Sequence, residues 1–186
     1  ELRDGATLQM GWTTNYPESF NALGGAGVTL NDGSQIRLRL PFNLDLPELT
    51  LAGDASIHLS PSTSAHHRTR NLNSVIAGPG VLTVIGNNNN TLNLNVANPG
   101  WSGGFVANAD DGWRVEANAS GAFGTGDVTL NARAAGDRGV TLQVDAPDVI
   151  ADTASLSLNG PKDNRKASKL ILNAGDTVFG FWQDGG

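Results

Sequence analysis

The chain has 186 residues, with 12 Lys and Arg against 18 Asp and Glu for a formal charge of −6, and it contains 24 glycines and no cysteine. That balance argues against the phosphate-seeking electrostatics of a nucleic-acid binder, and the missing cysteines exclude disulfide scaffolds and thiolate metal sites. No apolar run reaches the roughly 18 residues of a membrane-spanning helix.

In chain order, the start at Glu1-Leu2-Arg3-Asp4-Gly5 lacks the basic and apolar regions of a secretion signal, so export requires a targeting segment outside this sequence. Val28-Thr29-Leu30, Ile36-Arg37-Leu38-Arg39-Leu40 and Ile57-His58-Leu59 then alternate apolar and polar residues, as do Leu92-Asn93-Leu94-Asn95-Val96 and Leu156-Ser157-Leu158. Alternation with period two marks strands with one face inside. Glycine and asparagine between them supply tight turns, and no stretch carries a helical apolar stripe. His66-His67-Arg68-Thr69-Arg70 reads as a solvated basic loop. Asn87-Asn88-Asn89-Asn90 fits turn chemistry, or a stacked amide ladder if asparagine recurs at one corner of successive coils.

The sequence also repeats itself. Ala22–Asn31 aligns with Ala122–Asn131 at an offset of 100, Leu46-Pro47-Glu48-Leu49 with Ala146-Pro147-Asp148-Val149 at the same offset, and Ala55–Leu59 with Ala154–Leu158 at 99. Asp4-Gly5 matches Asp111-Gly112 at 107, which places an insertion within Gly11–Glu18, a surface-loop candidate. Two units of about 100 residues, roughly 1–85 and 86–186, are longer than one coil of a solenoid, so each is expected to contain several. The predicted fold is all-β: a single continuous right-handed parallel β-helix (β-solenoid). Its ends, including Asp184-Gly185-Gly186, suggest a chain cut from, or polymerising into, something longer.

Ala77-Gly78-Pro79-Gly80-Val81-Leu82-Thr83-Val84, followed by Asn98-Pro99-Gly100-Trp101-Ser102-Gly103-Gly104-Phe105, resembles the autotransporter-associated β-strand repeat. Asp111-Gly112-Trp113-Arg114-Val115 stands for that family's second strand, and Ala122–Leu130 for its last element. Trp101 replaces a usual Tyr, Phe105 a usual Thr, and 61–72 is an irregular departure. The resemblance implies an exported, surface-associated β-helical stalk, extracellular or on the cell surface.

Candidate chemistry is sparse. Adjacent Asp110 and Asp111 would point to opposite faces of a strand, so a turn before Gly112 suits them better than an acid–base pair. Asp145, Asp148 and Asp152 are close enough for calcium, but lack an ordered calcium loop. His58 points outward from its strand, and His66-His67 has no partner ligands at a zinc spacing. Trp12, Trp101, Trp113 and Trp182 would either stack on sugars or pack at coil ends and turns.

These observations predict a non-catalytic exported structural protein of a surface fibre, stalk or layer. It has no catalytic or cofactor site, and its partners are copies of itself or adjoining repeats end to end. The alternative is a carbohydrate-active β-helix, either a glycan-binding module or a polysaccharide lyase or hydrolase, for which surface glycans are the partners.

Overall fold

A computed structural model describes residues 1–10, 19–20, 26–38, 43–59, 69–86, 90–109, 112–132, 139–160 and 167–173. Every regular element among them is a strand. In chain order these are β1 (Thr7–Met10), β2 (Ser19–Phe20), β3 (Val28–Leu30), β4 (Gln35–Leu38), β5 (Asn43–Leu44) and β6 (Glu48–Leu51). Next come β7 (Ala55–Leu59), β8 (Thr69–Leu72), β9 (Val75–Ala77), β10 (Leu82–Gly86), β11 (Thr91–Leu94) and β12 (Phe105–Ala109). The last five are β13 (Trp113–Ala117), β14 (Val128–Ala132), β15 (Val140–Val144), β16 (Leu156–Asn159) and β17 (Lys169–Leu172).

All pairings between them are parallel, and no strand pairs with its neighbour in sequence. The first sheet has seven strands in the order β1-β4-β7-β10-β12-β14-β16, the second has seven in the order β17-β15-β13-β11-β8-β5-β2, and a third sheet contains β3-β6-β9. The chain visits the first, second and third sides in turn and then climbs one level, which makes a parallel β-solenoid of seven rungs. Above β9 the third side continues as turns and bends, tied to β9 by the bridge between Gly78 and Trp101.

One rung takes 21 to 28 residues, as the first-sheet partners Thr7, Gln35 and Ser56, then Ala55, Leu82, Phe105, Val128 and Leu156 show. A 100-residue offset therefore corresponds to about four rungs. The segments at 46–49 and 146–149 obey it, since each leaves the second sheet toward the third side, four rungs apart.

The other two alignments do not describe equivalent positions. Val28–Leu30 forms β3 in the third sheet, whereas Val128–Leu130 begins β14 in the first. Ile57 stacks through Val84, Ala107 and Leu130 onto Leu158, two residues beyond the partner expected from sequence. The irregular reading of 61–72 is corrected too, because Thr69–Leu72 is strand β8.

The core is a set of columns parallel to the axis. Ile36, Ile57, Val84, Ala107 and Leu130 form one column on the first sheet, all 1% exposed or less. Leu44, Leu72, Leu94, Ala117 and Val144 form another on the second. A single coil cannot bury its apolar side chains alone; each column is dry because the rungs above and below cover it.

The fifth rung is packed differently. Ala107, Ala109 and Ala117 leave volume that Phe105, Phe123, Trp101 and Trp113 fill, which keeps the interior dense. Phe105 meets the edge of Trp101 at 6.4 Å between ring centres and lies 5.0 Å from Phe123.

Close backbone stacking defines the corner that leads into the first sheet. Gly53, Gly80, Gly103 and Gly126 sit there on successive rungs, and a Cβ on Gly103 would lie 1.9 Å from the Gly80 carbonyl oxygen. A Cβ on Gly80 would similarly meet the Gly53 carbonyl at 2.1 Å. The residues after two of these glycines cap the next rung: Asp54 accepts from the Val81 backbone N–H (2.9 Å) and Asp127 from that of Ser155 (2.7 Å).

Candidate functional site

The columns that bury apolar residues inward display polar ones outward. The outward face of the first sheet carries Gln35, Ser56, Thr83, Val106, Thr129 and Ser157 in one row. The adjacent row holds Arg37, His58, Ile85, Asn108, Asn131 and Asn159. No carboxylate occurs in either row.

Side-chain bonds on this face run mostly along the axis. Asn131 donates to the Asn108 amide oxygen at 2.8 Å and Asn159 to Asn131 at 2.9 Å. Gln35 bonds the His58 ring at 2.8 Å and accepts from Arg37. His58 thus points outward, as its place between Ile57 and Leu59 implies.

A longer ladder follows the ends of the second-sheet strands. Asn73 donates to Asp45 (2.5 Å), Asn95 to Asn73 (2.8 Å), Asn118 to Asn95 (2.8 Å) and, beyond Asp145, Asn173 to Asp145 (2.7 Å). A second-sheet row carries the shorter ladder from Asn93 to Asn71 (2.7 Å). The stacked amides expected near Asn87–Asn90 therefore exist, but on other residues. Residues 87–89 lie outside the described residues, and Asn90 is buried, its carbonyl accepting from the Arg114 backbone N–H.

Buried polar groups bind rungs together from within. Asn98, 2% exposed, accepts from the Ile76 N–H (2.7 Å) and donates to the Ala122 carbonyl (2.6 Å), joining three successive rungs. Ser74 performs a similar task between the Leu46 N–H and the Leu44 carbonyl.

Arg70 corrects the reading of 66–70 as a solvated loop. It stands on β8 in the inward row with Leu92, is fully buried, and directs Nη2 to the Leu38 carbonyl at 3.5 Å. Register forces this: with Leu72 facing the core, the residue two positions earlier must face it too. His66, His67 and Arg68 lie outside the described residues.

The tryptophans divide in the same way. Trp101 is 0% exposed and donates its indole N–H to the Gly80 carbonyl at 3.0 Å. Trp113 is 3% exposed, bonds the Asn108 carbonyl at 3.0 Å, and lies over Gly86, where a Cβ would come within 2.5 Å of the ring. Both act as core packing, with their polar edges satisfied by backbone, and neither offers a face to a sugar. Trp12 and Trp182 lie outside the described residues. In a W12F/W182F variant the remaining emission is expected to be blue-shifted and quenched weakly by acrylamide; emission from water-exposed indoles would contradict the burial.

Asp145, Asp148 and Asp152 are exposed at the corner after β15, and Asp145 is occupied by bonds from Gln143 (2.7 Å) and Asn173. Among the described residues no group of three or more His, Asp or Glu is arranged to hold a metal ion. Asp110 and Asp111 lie outside the described residues. The ion pair between Arg114 and Glu116 (3.3 Å) is surface-exposed and contributes little to stability.

Comparison with protein-family models, with curated proteins and with solved structures returns no match.

Proposed function

We propose that this chain is a non-catalytic exported structural protein, part of a surface fibre, stalk or layer whose coils continue end to end. The last described rung carries the reading. Leu158 and Leu172 complete two columns whose preceding members are buried, yet they are 36% and 42% exposed. A further rung seated above them would bury both, and would pair the free edges of β16 and β17, which otherwise present unpaired backbone groups.

Two further observations support a structural role. The amide ladders direct hydrogen bonds along the axis between rungs, where a catalytic groove would need polar groups converging on one point. The glycine-rich segments that resemble the autotransporter-associated β-strand repeat lead into β10, β12 and β14, three neighbours in one sheet. That resemblance favours an extracellular or cell-surface location.

The carbohydrate-active alternative retains one support, the uncarboxylated outward rows of hydroxyl and amide groups on the first sheet, but Trp101 and Trp113 no longer serve it. Electron microscopy of the purified protein, with fibre diffraction, tests the main proposal. Filaments or layers with an axial reflection at about 4.8 Å, the spacing of stacked strands, are expected. Dispersed particles that bind or cleave acidic polysaccharides would replace it with the alternative.

A further inference from the structure

Charge is segregated across the solenoid. The stretches that run from the second sheet, past the third side, to the first hold ten of the eighteen carboxylates and only Arg3 of the twelve Lys and Arg. Six of these carboxylates cluster at the first rungs: Glu1, Asp4, Asp32, Asp45, Glu48 and Asp54. Four lie at the fifth to seventh rungs: Asp127, Asp145, Asp148 and Asp152. The third and fourth rungs between them carry no acidic residue on this flank. All ten are exposed except Asp45, which is half-buried.

The opposite flank has the inverse pattern. By sequence, the connections from the first sheet to the second carry Arg39, His66, His67 and Arg68 at the second and third rungs. At the sixth and seventh rungs they carry Arg133, Arg138, Lys162, Arg165 and Lys166, against Asp137 and Asp163. The connections between these groups contribute asparagines and the pair Asp110-Asp111.

Both patterns therefore recur after about four rungs. That interval is the 100-residue offset again, which relates Asp45 to Asp145 and Glu48 to Asp148. At about 4.8 Å per rung it spans about 19 Å on each flank. A random scatter of surface charge would not give opposite flanks the same spacing with opposite sign.

We infer that the acidic flank is an interaction surface for the basic flank of a second copy, laid side by side with axes parallel and shifted by about one rung. In that arrangement each acidic group faces a basic group, and the carboxylate-free third and fourth rungs avoid repulsion. The contact is heterologous and does not close, so it extends laterally into a sheet. This rests on the structural reading above and supplies the lateral half of a layer.

Sedimentation velocity of the full chain in 10 mM and 500 mM NaCl tests it, because exposed charges are screened beyond a few ångströms at the higher salt. Lateral association is expected to strengthen at least 10-fold on lowering the salt. D32K/D152K reverses one exposed residue in each acidic group, and R68E/R165E one in each basic group. Each variant alone is expected to lose the salt-sensitive association, and an equimolar mixture of the two to regain it. Wild-type protein that fails to associate at low salt, variants that behave like wild type, or a mixture that stays dissociated would each overturn the inference. Salt-insensitive filaments unaffected by either variant would overturn it while leaving end-to-end stacking intact.

Discussion

Replacing Gly103 by alanine is expected to lower the stability of the solenoid by about 3 kcal/mol or more, since the added methyl has to displace backbone and no flexible side chain is available to yield. Its Cβ would stand 1.9 Å from the Gly80 carbonyl oxygen and 2.4 Å from that of Pro79. Relief requires the fourth and fifth rungs to separate at this corner, which also stretches the bond from the Trp101 indole to the same Gly80 carbonyl. Urea denaturation followed by circular dichroism measures the effect. Gly100→Ala is the control: its Cβ would meet only the Ala77 side chain at 3.5 Å, an ordinary contact, and it should change stability by about 0.5 kcal/mol or less. Equal effects of the two substitutions would show that the glycine column is not a close-packed corner.

Asn98→Ala is expected to cost about 3 kcal/mol. The substitution strands the Ile76 N–H and the Ala122 carbonyl in a site where water does not replace the lost amide, and each unsatisfied buried group costs about 1–3 kcal/mol. Asn98→Asp separates the two halves of that role. A carboxylate can still accept from Ile76, but it then opposes the Ala122 carbonyl, so the folded state favours the protonated acid and raises its pKa above the unfolded value of about 3.9. The native state thus binds more protons than the unfolded one between those two values. Stability of this variant relative to wild type is fully present below the unfolded pKa and is lost as the pH rises through the folded one. Denaturation curves of both proteins at pH 4 and pH 7 check this, and a gap that does not widen with rising pH would mean that the carbonyl contact does not matter.

The sequence shows the inward-facing side chains more readily than the register. Ile36, Ile57, Leu92 and Leu142 alternate with polar neighbours, so strand identity and the buried face follow directly. Sliding one such strand against another by two residues keeps every apolar side chain inside, and the placement of Leu158 beneath Ile57's column could not be distinguished from its alternative on pattern alone. A Val-Thr-Leu run likewise suits any of the three sides, which is how β3 and the start of β14 came to look equivalent. What fixes register physically is the corner, where glycines must stack on backbone and asparagines on asparagines.

A sequence signal for the long ladder does exist. Leu44-Asp45, Leu72-Asn73, Leu94-Asn95, Ala117-Asn118, Val144-Asp145 and Leu172-Asn173 each pair an inward apolar residue with an Asn or Asp at a strand end. The run of four asparagines at 87–90 drew attention away from it. The roles of Trp101 and Trp113 were undecidable from sequence, because burial depends on room made by Gly86 and the small residues Ala107 and Ala109 in neighbouring strands.

The ladder also gives the solenoid a direction. A carboxylate only accepts, so Asn73 must turn its amide N–H toward Asp45, which leaves its oxygen for Asn95, whose oxygen then serves Asn118. The same sense is repeated when Asn173 donates to Asp145. Aspartate therefore works as an initial letter and asparagine as a continuing one: Asp145 cannot donate back to Asn118, and a new line begins there. The two initials stand four rungs apart, so a solenoid built this way lengthens coherently only by whole phrases of four coils, and only in one orientation.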